Sequence, residues 1–135
     1  MANALYDKGR EKFAIAQLDW SSHTIKAQLV DTGAYTVNLA AHEFLSDVPA
    51  GARIGSAVTL GSKTYTAGAC DAADSTFTAV SGPTIEAIVI YRDTGVEGTS
   101  ALIAYIDAAT GLPITPNGGD IIVAWDNGAN KIFKL

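Results

Sequence analysis

Residues 84–107, TIEAIVIYRDTGVEGTSALIAYID, decide how this chain folds. Apolar β-formers occupy both parities of each arm, while Asp93, Gly95, Glu97 and Gly98 interrupt them, so the stretch reads as two strands joined by a glycine-bearing turn. In the first arm Ile85, Ala87, Val89 and Tyr91 alternate with Ile88 and Ile90. Strict alternation in the second puts Leu102, Ala104 and Ile106 on one face and Ala101, Ile103 and Tyr105 on the other. A strand that is apolar on both faces must be covered on both, which places this hairpin in the middle of a sheet.

Working outward towards the C-terminus, residues 108–120, AATGLPITPNGGD, are a turn-rich connection. DIIVAW (120–125) and NKIFKL (130–135) follow, joined by Asp126-Asn127-Gly128-Ala129, and the Asn-Gly pair predicts that the last strand folds back on its predecessor. On the N-terminal side, ARIGSAVTL, KTYTAGAC and DSTFTAV within residues 52–80 read as three strands, separated by Gly61-Ser62 and by Asp71 to Asp74. Residues 15–20 and 24–30 read as strands with one wet face, joined at Ser21, Ser22 and His23. NLAAHEFLS (38–46) carries a short helical signal with Asn38 as its cap, stopped by Pro49 and Gly51.

Residues 3–14, NALYDKGREKFA, predict a helix capped by Asn3, with Leu5, Gly9 and Phe13 at four-residue spacing and Tyr6 alongside. Gly9 costs that helix about 1 kcal/mol relative to alanine, so it needs a dock, either the body of the fold or a neighbouring chain. Leu5, Tyr6 and Phe13 are therefore the candidate inter-subunit contact. Eight to ten short strands with these helices predict an all-β protein, a jelly-roll-like β-sandwich with one or two short helices near the N-terminus. No repeat or linker divides it, so the expectation is one domain over 1–135, with 1–14 as a helical arm.

Composition narrows the function classes. With 48% apolar and 17% charged residues, a chain of 135 residues buries a sizeable core without staples. Nine basic residues scattered among fourteen acids, a net charge of −5, argue against a nucleic-acid partner. The single cysteine, Cys70, cannot form an internal disulfide. The charged N-terminus does not read as a signal peptide and no run is long enough for a membrane helix, so the expectation is a soluble protein with no membrane partner.

Each candidate chemistry has a simpler reading. Asp-Thr-Gly occurs twice, at 31–33 and 93–95, and resembles the tripeptide with which aspartic proteases bring two carboxylates together. The copies are too close for two pepsin-like lobes and the bracing apolar-apolar-glycine segment is missing, so both read as turn residues. His23, His42 and Cys70 lack metal-ligand spacing, and Asp71 and Asp74 lack the twelve-residue calcium pattern. No serine sits in a Gly-x-Ser-x-Gly elbow, and Gly118-Gly119 is not followed by Lys-Ser or Lys-Thr. Trp20, Trp125, Tyr35, Tyr65, Tyr91 and Tyr105 would stack sugars if they lined an exposed face, but strand-end tryptophans more often close a core. No catalytic, cofactor-binding or metal-binding residue is expected.

The stretches MANALYDKGREKF, FLSDVPAGARI, YRDTGVEGTSALIAYID and GLPITPNGGDIIVAWDNGANKIFKL together resemble a family of small tailed-phage virion proteins. These are the capsid cement or decoration proteins that accompany HK97-like major capsid proteins. The resemblance implies a β-sandwich without catalytic residues that binds the outside of the shell and reinforces junctions between major capsid subunits. It implies the major capsid protein and the chain itself as partners, a homodimer ahead of a trimer, and a virion location after synthesis in the host cytoplasm. The alternatives are a tail, spike or baseplate accessory protein, a glycan-binding jelly-roll module and, last, an aspartic protease.

Overall fold

The computed structural model describes residues 4–107, 111–125 and 131–135. Nine strands and one α-helix lie within them: β1 (Ala4–Leu5), α1 (Asp7–Ala14), β2 (Ile25–Val30), β3 (Arg53–Thr59), β4 (Ala69–Cys70), β5 (Ser75–Phe77), β6 (Ala87–Arg92), β7 (Leu102–Ile106), β8 (Ile121–Val123) and β9 (Phe133–Lys134). The fold is all-β with a short helix near the N-terminus. Its main sheet runs β1-β7-β6-β2-β3, every neighbouring pair antiparallel, beside two two-stranded sheets, β4-β9 and β5-β8.

The 84–107 stretch takes the central place its composition requires, since β6 is third of the five strands and β7 lies beside it. Each face of the main sheet has its own core. On one, Ile88, Ile90 and Ile103 pack with Trp20, Cys70, Phe77, Ile121 and Phe133, which belong to or flank the small sheets. On the other, Ala87, Val89, Tyr91, Leu102 and Tyr105 pack with Tyr6, Tyr35, Leu45 and Val48. Each large apolar side chain fully buried this way contributes roughly 1.5–3 kcal/mol.

Within the β6–β7 hairpin strict alternation fails at Ile103. Ile90 is opposite Ala104, yet Tyr91 is opposite Leu102, which leaves Ile103 as an extra residue in β7. This β-bulge resets the parity. Leu102 joins the core containing Tyr91 and Tyr105, opposite the one that takes Ala104 and Ile106.

The remaining departures from expectation have local causes. Residues 15–20 are not a strand: the Asp19 carboxylate takes the backbone N–H groups of Ser21 and Ser22 and both their hydroxyls, and these short-range bonds compete with a ladder. Residues 38–41 make one turn, capped by the Asn38 side chain at 3.1 Å from the Ala41 nitrogen, which does not run on as a helix but breaks before a separate 3-10 turn at Leu45–Asp47. The Glu43 and Phe44 N–H groups are taken by Asp47 Oδ2, and Phe44 bridges to Ala101 at the end of β7.

Within 63–70 only Ala69 and Cys70 are strand, because Ala67 and Gly68 take positive φ in the 3-10 turn before them. The terminal pair does not form a hairpin either: β8 pairs with β5 and β9 with β4. The two segments thus run antiparallel to 69–77 as one interrupted ribbon, while the Asn127-Gly128 signal lies outside the described residues.

Candidate functional site

The N-terminal arm begins as a strand, not as a helix. Ala4 and Leu5 pair with Tyr105 and Ala104, which places Leu5 in the core, and Tyr6 then donates its N–H to the Ile103 carbonyl at 3.0 Å. The residue preceding α1 is Tyr6, whose side chain makes no capping bond to the helix, and Asn3 lies outside the described residues. The dock that the glycine-weakened helix needs is β7. Gly9 is the buried residue of α1, and a Cβ built on it would stand 2.6 Å from the Leu102 carbonyl oxygen and 3.3 Å from the Ile103 Cα. Glycine lets the helix backbone lie directly on the bulged strand.

The three arm residues proposed from the sequence as an inter-subunit contact are all engaged within the chain. Leu5 and Tyr6 are buried, and Phe13 packs its ring 6.1 Å from that of Phe133. The Tyr6 hydroxyl shares a hydrogen bond of 2.9 Å with Tyr35, whose hydroxyl is 2.8 Å from His42 Nδ1. Burial holds Tyr6 far above the usual phenol range and pushes Tyr35 up to about 12. The marginal helix is therefore explained without a second chain.

Between β6 and β7, residues 94–99 are exposed, with Val96 60% accessible, yet the loop is braced from inside. Asp93 Oδ1 accepts the Gly95 N–H at 3.0 Å, Ser100 Oγ donates to the Val96 carbonyl at 2.8 Å, and the Thr94 and Thr99 hydroxyls are 2.6 Å apart. It is also anchored from outside. Lys26 pairs with Asp93 at 3.0 Å, Arg53 pairs with Glu97, and Leu45 donates its N–H to the Ser100 carbonyl. The Gly95 N–H and Lys26 lower the pKa of Asp93, and Arg53 lowers that of Glu97. Lys26, Arg53 and Glu43 carried no site signal in the sequence, because each reaches the arm or loop from a distant segment and no local motif marks it.

The two Asp-Thr-Gly copies do not meet. Asp31 follows the end of β2 where Val30 pairs with Ala87, whereas Asp93 lies at the opposite end, beside Thr24. At about 3.3 Å per residue the separation is roughly 20 Å, too far to share a proton. Each carboxylate instead accepts the N–H of the glycine two residues on, at 2.9 and 3.0 Å.

Among the described residues no three His, Cys, Asp or Glu side chains come together as a metal site. Trp20, Trp125, Tyr35, Tyr91 and Tyr105 are buried, leaving Tyr65 exposed, so these aromatics form no open stacking face. No helix among the described residues is long and apolar enough to cross a membrane. No family model matches the chain, and no curated protein matches it.

Proposed function

We propose that the chain is a virion structural protein, a capsid cement or decoration protein that binds the outside of a tailed-phage shell and reinforces junctions between HK97-like major capsid subunits. The observation that carries this reading is where the resembling stretches lie. The opening segment, FLSDVPAGARI and the β6–β7 hairpin, though scattered in sequence, are bonded to one another, and the closing stretch places Ile121 and Phe133 in one core with Ile88, Ile90 and Ile103 of that hairpin. Leu102 donates its N–H to Glu43, Leu45 donates to Ser100, Arg53 pairs with Glu97, and α1 rests on β7. The likeness thus falls on segments that are held together through the central hairpin. The finer description of the body as a jelly roll belongs to the same proposal.

A cement protein works by adding buried interface at many equivalent places, and standard interfaces of about 1,200–2,000 Å² repeated over a shell resist internal pressure collectively. The braced 93–99 loop suits that task because little ordering entropy remains to be lost when it docks. Its exposed Val96 is the apolar point of contact with the major capsid protein. A homodimer ahead of a trimer is the assembly on the shell, after synthesis in the host cytoplasm.

The test is a cryo-EM map of virions, with immunolabelling of intact particles as its complement. Density for this chain over capsomer junctions is the expected result. Label on the tail or baseplate would move the protein to the accessory-protein alternative, and its absence from particles would end the reading.

A further inference from the structure

A cleft of about 490 Å³ opens where the C-terminal end of α1, the turn before β2, the segment at residues 43–44 and the loop after β6 meet, lined among others by Lys12, Gln17, His23, Glu43, Arg92 and Thr99. Arg92 is the last residue of β6, fixed by register opposite Ile25 and by donating its N–H to the Ala101 carbonyl at 2.9 Å. Its Nε is shut away from water and has no hydrogen-bond partner, and no ion pair among the described residues engages its guanidinium. Arg92 as a whole is only half-buried and lines the cleft, so a guanidinium that no acceptor among the described residues engages can take one from a ligand there.

The other charges around the cleft do not supply it. Glu43 is taken by Lys12 at 2.6 Å, and the Lys12 ammonium also stands 5.1 Å over the Phe44 ring. The Asp19 carboxylate is occupied by the Ser21 and Ser22 hydroxyls and N–H groups. Lys63 donates to the His23 carbonyl and adds positive charge from behind. His23 accepts the Asp19 N–H at Nδ1, so its neutral ring carries the proton on Nε2 and adds a donor. Burial and the neighbouring Arg92 charge both favour that neutral ring.

We propose that this cleft binds an oxyanion, the carboxylate or phosphate group of a small ligand, received by the Arg92 guanidinium. A planar fork of N–H donors matches two oxygens of such a group at once. Lys12 adds attraction, and Glu43 opposes it. The proposal stands whether or not the chain belongs to a capsid.

The full chain is titrated separately with inorganic phosphate and with acetate at ionic strength matched by chloride, following the Arg92 Nε–H resonance by NMR. A saturable shift with one or both anions and none with chloride is expected, and the tighter of the two identifies the group. Arg92→Lys should weaken binding by about tenfold or more, as loss of a charged hydrogen bond requires. Glu43→Gln should tighten it, while the exposed Arg10→Gln, outside the cleft, leaves it unchanged. No saturation with either anion, a response equal to that with chloride, or an affinity that Glu43→Gln does not raise would overturn the assignment. The last two readings do not depend on the Arg92 variant folding.

Discussion

Single residues at the junction of arm and sheet carry more than their types suggest. Gly9 is read from sequence as a weakness in a helix, yet in the fold it is the point at which helix and strand backbones touch. Gly9→Ala raises intrinsic helix propensity by about 1 kcal/mol, but its methyl would sit 2.6 Å from a backbone oxygen. The clash outweighs the gain, and overpacking of this kind costs about 1–3 kcal/mol, so urea unfolding should show a lower midpoint for the alanine variant. Tyr35→Phe is a complementary case. It removes the partner of the buried Tyr6 hydroxyl and should cost about 1–3 kcal/mol, whereas Tyr65→Phe on the exposed side should be silent in the same assay.

The buried phenols also set a pH limit. Burial, the largest cause in each, raises Tyr6 and Tyr105 and pushes Tyr35 and Tyr91 up to about 12. A folded-state pKa above the unfolded value of about 10 favours the neutral form in the fold. That contribution is whole below pH ~10 and is lost as pH rises towards 12. Phenolate absorbance of the four buried tyrosines should therefore appear together with loss of circular dichroism; gradual ionisation within an intact fold would contradict it. At the acid end the sign reverses. Asp93, held low by the Gly95 N–H and Lys26, and Asp47, where two backbone N–H bonds outweigh burial, contribute stability above the unfolded carboxylate range that fades as pH falls.

At the scale of elements, β9 is only two residues long, yet it closes one core. Phe133 is opposite Cys70 in register and meets Trp20 edge-to-face with ring centroids 5.2 Å apart. Phe133→Ala should cost about 3–5 kcal/mol and open access to Cys70, whose thiol burial now pushes up to about 11. Alkylation of Cys70 by a neutral-pH thiol reagent, slow in the native chain, should accelerate in the variant.

The same strand explains why part of the fold was illegible in the sequence. The period of β6 was readable because each residue reports its own face. The pairing of β8 and β9 was not, because Asn127-Gly128 is a signal between neighbours in sequence. Phe77 opposite Ile121 and Cys70 opposite Phe133 are choices made across 44 or more positions, on core packing. The bulge at Ile103 was equally silent, since nothing in LIAYI marks which residue will be extra.

Across the whole molecule, the arm belongs to the body, and this changes how a test of shell binding must be built. Removing residues 1–14 would take out β1, α1 and the buried Tyr6, so the expected outcome is a destabilised chain and not a folded one that assembles poorly. Legibility at this scale followed the same division: a greasy central strand pair announced a sheet covered on both faces, while the cleft around Arg92 is assembled from four separate segments and left no local trace. The proposed shell contact is better probed on the 93–99 loop, which projects from the core and is held by its own hydrogen bonds. Val96→Asp places a charge at a 60% exposed position and should leave the thermal midpoint within about 1–2 °C of the native value, as surface substitutions usually do. If this loop meets the major capsid protein, the buried and unpaired carboxylate should reduce occupancy of expanded shells by at least about tenfold in a sedimentation assay. Unchanged occupancy at unchanged stability would move the contact away from this loop, with the exposed Ile122 of β8 on the opposite core's sheet as the next surface to substitute.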